Sequence, residues 1–237
     1  MGKYSGLLAI AGIAVGFAIG FVVANSVNRS EINSLRAQLE SARSSAPPDK
    51  NELSDEEIRD KIAEADQNAG DLQYQKNLGL ALYRYGAVKN NSQIITEAVR
   101  LLDRASQLSP NDRDVTIGLA NALFDLGYVN KDNASLSKAR ESYKKVLATK
   151  DDADIRTDLG MTYFLQEPPD DENAIVEFKR VLAADPQNQK ALEFIVQSFA
   201  RRKDRSEATK YLQKLRDSHP TDPSLVNLQS QVDQIQQ

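Results

Sequence analysis

A single histidine, no cysteine and no tryptophan among 237 residues leave few ways to build a reactive centre. A serine nucleophile would need His219 as its base. That residue sits in Ser218-His219-Pro220, where it reads as a turn residue closing a helix. Without cysteine there is no thiolate nucleophile and no disulfide, and zinc would have one imidazole and no sulfur. Two acid clusters, Asp151-Asp152-Asp154 and Asp170-Asp171-Glu172, lack the glycine and distal glutamate of a calcium loop. They suit helix starts, where the backbone dipole favours negative charge. No glycine-rich phosphate loop is present. The expectation is a protein that is not an enzyme and uses no cofactor or metal. With 30 basic against 34 acidic residues, the chain also lacks the basic balance of a nucleic-acid binder.

The remaining signal is a pattern repeated four times. Leu78-Gly79 and Leu82 are followed by Ala98, Leu102, Ala105 and Pro110. Leu119-Ala120 and Leu123 are followed by Ala139, Tyr143 and Val146. Leu159-Gly160 and Tyr163 are followed by Ala174, Phe178, Val181 and Pro186. Ile195-Val196 and Phe199 are followed by Ala208, Leu212, Leu215 and Pro220. The spacing within each half is helical, so each copy predicts two antiparallel amphipathic helices. Small residues mark close helix approach. The prolines stop the second helix, because proline lacks the amide donor and clashes with the preceding turn. One such hairpin cannot bury its own apolar face, whereas a stack can.

This spacing resembles the tetratricopeptide repeat (TPR) family over residues 71–222. The resemblance implies an all-α, right-handed helical solenoid whose first helices line a concave groove. The first two copies align at an offset of 41, against the family's period of about 34, so each carries the same seven-residue insertion. The third carries two extra residues at Pro168-Pro169, and the fourth none. By resemblance the groove would be lined by Lys76, Asn77, Leu80, Tyr83 and Arg84 of the first unit. The second would add Asp114, Ile117, Asn121, Phe124 and Asp125. The third would add Asp154, Asp158, Met161, Phe164 and Leu165, and the fourth Lys190, Glu193, Gln197 and Arg201. Tyr83, Phe124 and Phe164 recur at one place. Two readings stand: an aromatic ladder that anchors a peptide, or packing between neighbouring units. The clamp of chaperone-binding members is absent: of its five positions only Lys76 fits.

The N-terminus differs. Leu7 to Ala24 carries no charge over eighteen residues, which as a helix would span about 27 Å. A membrane anchor is expected. The rival reading is a cleaved signal peptide with Val22-Val23-Ala24 at its site. Gly12, Gly16 and Gly20 fall four apart on one face, a spacing that lets two transmembrane helices approach. Ile32, Leu35, Leu39 and Ala42 make a short coiled-coil seam. Together they suggest a parallel homodimer. Lys and Arg counts favour a cytoplasmic repeat domain, whereas the short basic tail favours export. The expectation adopted is a single-pass protein of the bacterial inner membrane with a periplasmic repeat domain.

The expected partition is anchor 1–28, stalk 29–43, linker 44–52 and N-terminal capping helix 53–70. Four units follow at 71–112, 113–152, 153–188 and 189–222, with a C-terminal capping helix at 223–237. Ser54 and Glu57 form a capping-box pattern between Leu53 and Ile58. The function expected is a membrane-anchored scaffold that binds a peptide or protein segment in its groove. A narrower version is an assembly factor, similar to the membrane-anchored TPR proteins of cytochrome c maturation. The alternative is a stalked protein that self-associates without a peptide ligand.

Overall fold

The computed structural model describes residues 54–235. The expected anchor, its face of Gly12, Gly16 and Gly20, the stalk and the linker lie outside the described residues. Among the described residues there are ten α-helices and no strand. No helix among them is long and apolar enough to cross a membrane. They divide at Leu108–Ser109 into two compact units.

The first unit holds α1 (Asp55–Gln67), α2 (Leu72–Lys89) and α3 (Ser92–Leu108). Ser54 Oγ accepts from the Glu57 amide (3.2 Å), and the Ser54 amide donates to Glu57 Oε2 (2.7 Å), closing the capping box. These bonds hold the Glu57 carboxyl below the usual carboxylate range. Ile58 and Ala65 of α1 pack on Leu82, Ala98 and Leu101 of the hairpin. Buried Gln75 reaches back across the connection and donates to the carbonyls of Ala65 (2.6 Å) and Asn68 (3.0 Å). The helix α1 therefore covers the open apolar edge of the α2–α3 pair.

The second unit contains three hairpins in sequence. They are α4 (Arg113–Asn130) with α5 (Asn133–Thr149), α6 (Ala153–Leu165) with α7 (Asp171–Ala184), and α8 (Gln189–Arg201) with α9 (Arg205–Ser218). A short helix, α10 (Leu225–Asp233), packs on α8 and α9. It begins two residues after Pro223, which the sequence pattern places at its start. Leu228, Val232 and Ile235 are buried on one stripe, while Val226 is 82% exposed. Asp112, Asp132, Asp152, Asp170 and Asp204 each accept a first-turn amide of the following helix. Both acid clusters are therefore N-cap regions.

The seven-residue insertion is absorbed by longer helices, not by loops. The pairs α2–α3 and α4–α5 have 18 and 17 residues each, against 13 and 14 for α6–α7 and α8–α9. Seven residues are about two turns, one for each antiparallel helix, so the faces that meet stay in register. The added turns cross at Gly86 and Gly127. A Cβ there would lie 2.8 Å from Ile95 Cγ1 and 2.7 Å from Leu136 Cγ, respectively. The two-residue insertion of the α6–α7 pair does form a loop. Asn133 pins it, donating to the Glu167 carbonyl (2.6 Å) and accepting from its amide (3.0 Å).

A candidate binding face on the first helices

On α2 of the first unit, Lys76, Leu80 and Tyr83 are half-buried, and Asn77 and Arg84 are exposed. Tyr83 packs against the Ile58–Leu82–Leu101 cluster.

In the second unit, α4, α6 and α8 are the first helices of successive hairpins, and α6 packs directly on α8. The predicted aromatics form the floor, not the surface. Phe124 and Phe164 are 9% and 8% exposed, and Met161 is 1% exposed. Phe164 meets Phe194 of the next hairpin edge-on, with ring centroids 4.9 Å apart. Phe194 in turn stacks on Phe178 at 6.0 Å. Of the two readings, packing between neighbours is the one realised at Phe164, because a π edge and a π face in contact are favourable and dry. Met161 is a core residue, which corrects its expected place in a groove lining.

The polar side chains of this face are largely engaged, with one another or with the second helices. Lys190 Nζ of α8 lies 2.9 Å from Asp158 Oδ1 of α6, both partly buried. Burial pushes the Asp158 carboxyl above its ordinary value, against the pull of Lys190. Arg201 lies 3.6 Å above the Phe164 ring, donates to the Phe164 carbonyl (3.2 Å) and pairs with Asp171 through Nε (3.0 Å). Asn121 Oδ1 accepts from the Tyr143 hydroxyl at 2.8 Å. Gln197 is half-buried and donates weakly to the Glu193 carbonyl at 3.4 Å. Asp125 is half-buried and also in a polar contact. Asp114 and Asp154 stand exposed at the helix starts.

Sequence reasoning missed three residues of this region: Phe194, Gln189 and Asp222. Gln189 Nε2 donates both to Glu193 Oε1 (3.1 Å) and to Asp222 Oδ2 (3.2 Å). Burial first, and the Asp222 carboxylate second, push the Glu193 carboxyl up to about 8. Phe194 adjoins the recurrent Ile195 and could have been found as an extra apolar position. Asp222 lies beyond its helix pair, and no spacing links it to Glu193. His219 lies at the C-cap of α9, its Nδ1 2.9 Å from Ser218 Oγ. No group of three or more His, Cys, Asp or Glu side chains among the described residues is placed to hold a metal ion. The arrangement offers a ridge of carboxyl, amide and guanidinium groups over an aromatic floor, suited to contact with another polypeptide.

No family model matches the sequence, and no curated protein matches it. Solved structures do. The crystal structure of a MamA protein superposes with a TM-score of 0.56 at 17% identity, covering 69% of this chain and 81% of that one. A MamA fragment from Desulfovibrio magneticus RS-1 superposes at 0.55 with 20% identity, covering 71% and 87%. MamA of AMB-1 gives 0.52 at 20% identity, covering 66% and 78%. At these identities the likeness is one of fold.

Proposed function

We propose that this chain, a tetratricopeptide-type repeat protein in fold, is a protein-interaction scaffold. It binds a polypeptide segment along the first-helix face of its second unit. The observation that carries this reading is the set of first helices α4, α6 and α8, of which α6 packs directly on α8. The first helices of the three hairpins carry exposed Asp114 and Asp154 and half-buried Gln197, while Phe124 and Phe164 are buried. A rigid helical surface of this kind needs little ordering to bind, which favours recognition. The buried rings are support for that surface and not its contact points.

The reading extends to the uncharged stretch Leu7–Ala24 as a single membrane anchor that holds the repeats in the periplasm of a bacterial cell. Gly12, Gly16 and Gly20 serve there as the face of a homodimer. An assembly role, bringing a bound client to a membrane site, is the activity such a tether would serve.

The test uses the full chain. Partners are captured from membranes with the wild type, with Asp154→Ala/Gln197→Ala on the proposed face, and with Lys138→Ala on α5. A partner lost only in the double variant, at unchanged thermal midpoint, supports the face. A partner retained by it, or self-association alone, refutes it. Deletion of residues 1–28 should release the chain from membranes, and an alkaline phosphatase fused at the C-terminus should be active. A cytosolic reporter active at that position would overturn the periplasmic assignment.

A further inference from the structure

The carboxyl groups of Glu193 and Asp222 come from different elements, yet they converge on one donor. Glu193 lies on α8, half-buried, and Asp222 is buried in the turn between α9 and α10. Both accept from Gln189 Nε2, at 3.1 and 3.2 Å. With both oxygens on one nitrogen, they lie no more than 6.3 Å apart, the sum of 3.1 and 3.2 Å. Two ionised carboxylates sharing one neutral amide repel; one proton between them converts repulsion into a hydrogen bond.

Asp222 holds the start of α10. Its Oδ1 accepts from the Ser224 amide at 2.7 Å, and its carbonyl accepts from the Leu225 amide at 3.2 Å. Its own amide donates to the His219 carbonyl at 3.1 Å. The Ser224 side chain makes no cap bond; Asp222 instead holds the amide of that N-cap residue and, through its carbonyl, the first helical amide. Only nine residues long, α10 depends on this start and on Leu228, Val232 and Ile235 for its place.

We propose that Glu193 and Asp222 form a proton-operated latch that holds α10 against α8 and α9. With one proton shared, the latch is closed. When that proton leaves to water, the two carboxylates face each other and α10 opens, uncovering apolar surface at the end of the second unit.

Charged groups on α8 and on the helices packed against it have partners of their own. Lys190, on the same helix, pairs with Asp158 of α6. Its charge opposes the upward push on Glu193 without cancelling it. On α7, Glu177 is held by Arg156 and Arg180 at 2.7 and 2.8 Å. On α9, Lys210 pairs with Glu207, and Arg216 bonds Gln213 and Gln229. Asp233 of α10 accepts from Gln229 at 2.9 Å.

The sign follows from the closed state holding the proton more tightly than the open one. In the closed state Glu193 titrates at about 8; exposed, it returns towards its ordinary value of 4.5. Opening therefore becomes easier as pH rises between those values and levels off above the higher one.

Hydrogen exchange of residues 225–235 in the full chain, corrected for intrinsic exchange chemistry, reads the opening. The wild type should open up to roughly tenfold more readily per pH unit between about 6 and 8. Glu193→Gln keeps a donor towards Asp222 and should give a flat profile. A flat wild-type profile, or the same slope in Glu193→Gln, overturns the latch. A carboxyl NMR titration of Glu193 reads the wild-type pair directly. A midpoint near 8 that falls in Asp222→Asn supports the pair, and a wild-type midpoint in the ordinary carboxylate range refutes it.

Discussion

Gly160→Ala should destabilise the second unit, although alanine is the better helix former. In an exposed helix the change would gain about 1 kcal/mol. At Gly160 the new Cβ would stand 2.5 Å from Phe178 Cε1, 2.9 Å from Cδ1 and 3.1 Å from Cζ. The ring has nowhere to go: Phe178 is fully buried and stacks on Phe194 at 6.0 Å. Inserting a methyl group into such a site costs about 1–3 kcal/mol, and a rigid ring puts it at the upper end. The net expectation is a loss of about 1–2 kcal/mol, after the propensity gain is subtracted. Urea unfolding followed by circular dichroism measures it, as a lower midpoint at unchanged slope. Gly70→Ala is the contrast, since no atom lies within 4 Å of its added Cβ. That change should be neutral or stabilising by up to about 1 kcal/mol, through the unfolded chain. Combining Gly160→Ala with Phe178→Leu should show a coupling of at least about 0.5 kcal/mol, because the clash is with that ring. A neutral Gly160→Ala, or an additive double variant, would refute the close-approach argument.

Arg156→Ala should cost about 1–3 kcal/mol, because it removes one of two partners from nearly buried Glu177 and leaves Arg180 in place. Thermal unfolding should show Arg156→Met/Glu177→Met recovering most of that loss; equal losses would mean that packing alone matters there. In the first unit, bonds from Arg100 and Arg104 hold the Asp66 carboxyl below its usual value. Its support is present above the ordinary value of 3.8 and is lost as pH falls through the lowered one. Since Asp66 is 46% exposed, Asp66→Asn should cost no more than about 1 kcal/mol, and less in high salt. An acid melt in which the wild type and Asp66→Asn run parallel below pH 4 would remove Asp66 from that account.

Much of the fold is legible in the residues themselves. Gly160 opposite Phe178, Ala98 in a dry core and prolines two residues past the ends of α3, α7 and α9 are local signals at fixed spacing. The capping box is as local, with both partners within one turn. The candidate face is less legible. Sequence spacing places Phe124 and Phe164 on one row but leaves open whether that row meets solvent or a neighbour. Packing between hairpins decides it at Phe164, through Phe194, which belongs to another repeat. Arg201 reads as a groove cation by position, yet stacking on Phe164 and pairing with Asp171 hold it in place.

Helix pairing, the order of the repeats and the lack of a familiar catalytic motif follow from the chain alone, because periodicity is a one-dimensional property. Whether the seven extra residues of the first two repeats form loops or helix is already a tertiary question. They form helix because a turn added to each strand of a hairpin keeps its buried faces opposed. Which polar groups remain free, and which lock one another, is tertiary throughout. Glu193 and Asp222 are ordinary acids in sequence. They become a pair only because α8 and the turn before α10 bring a half-buried and a buried carboxyl beside the same amide.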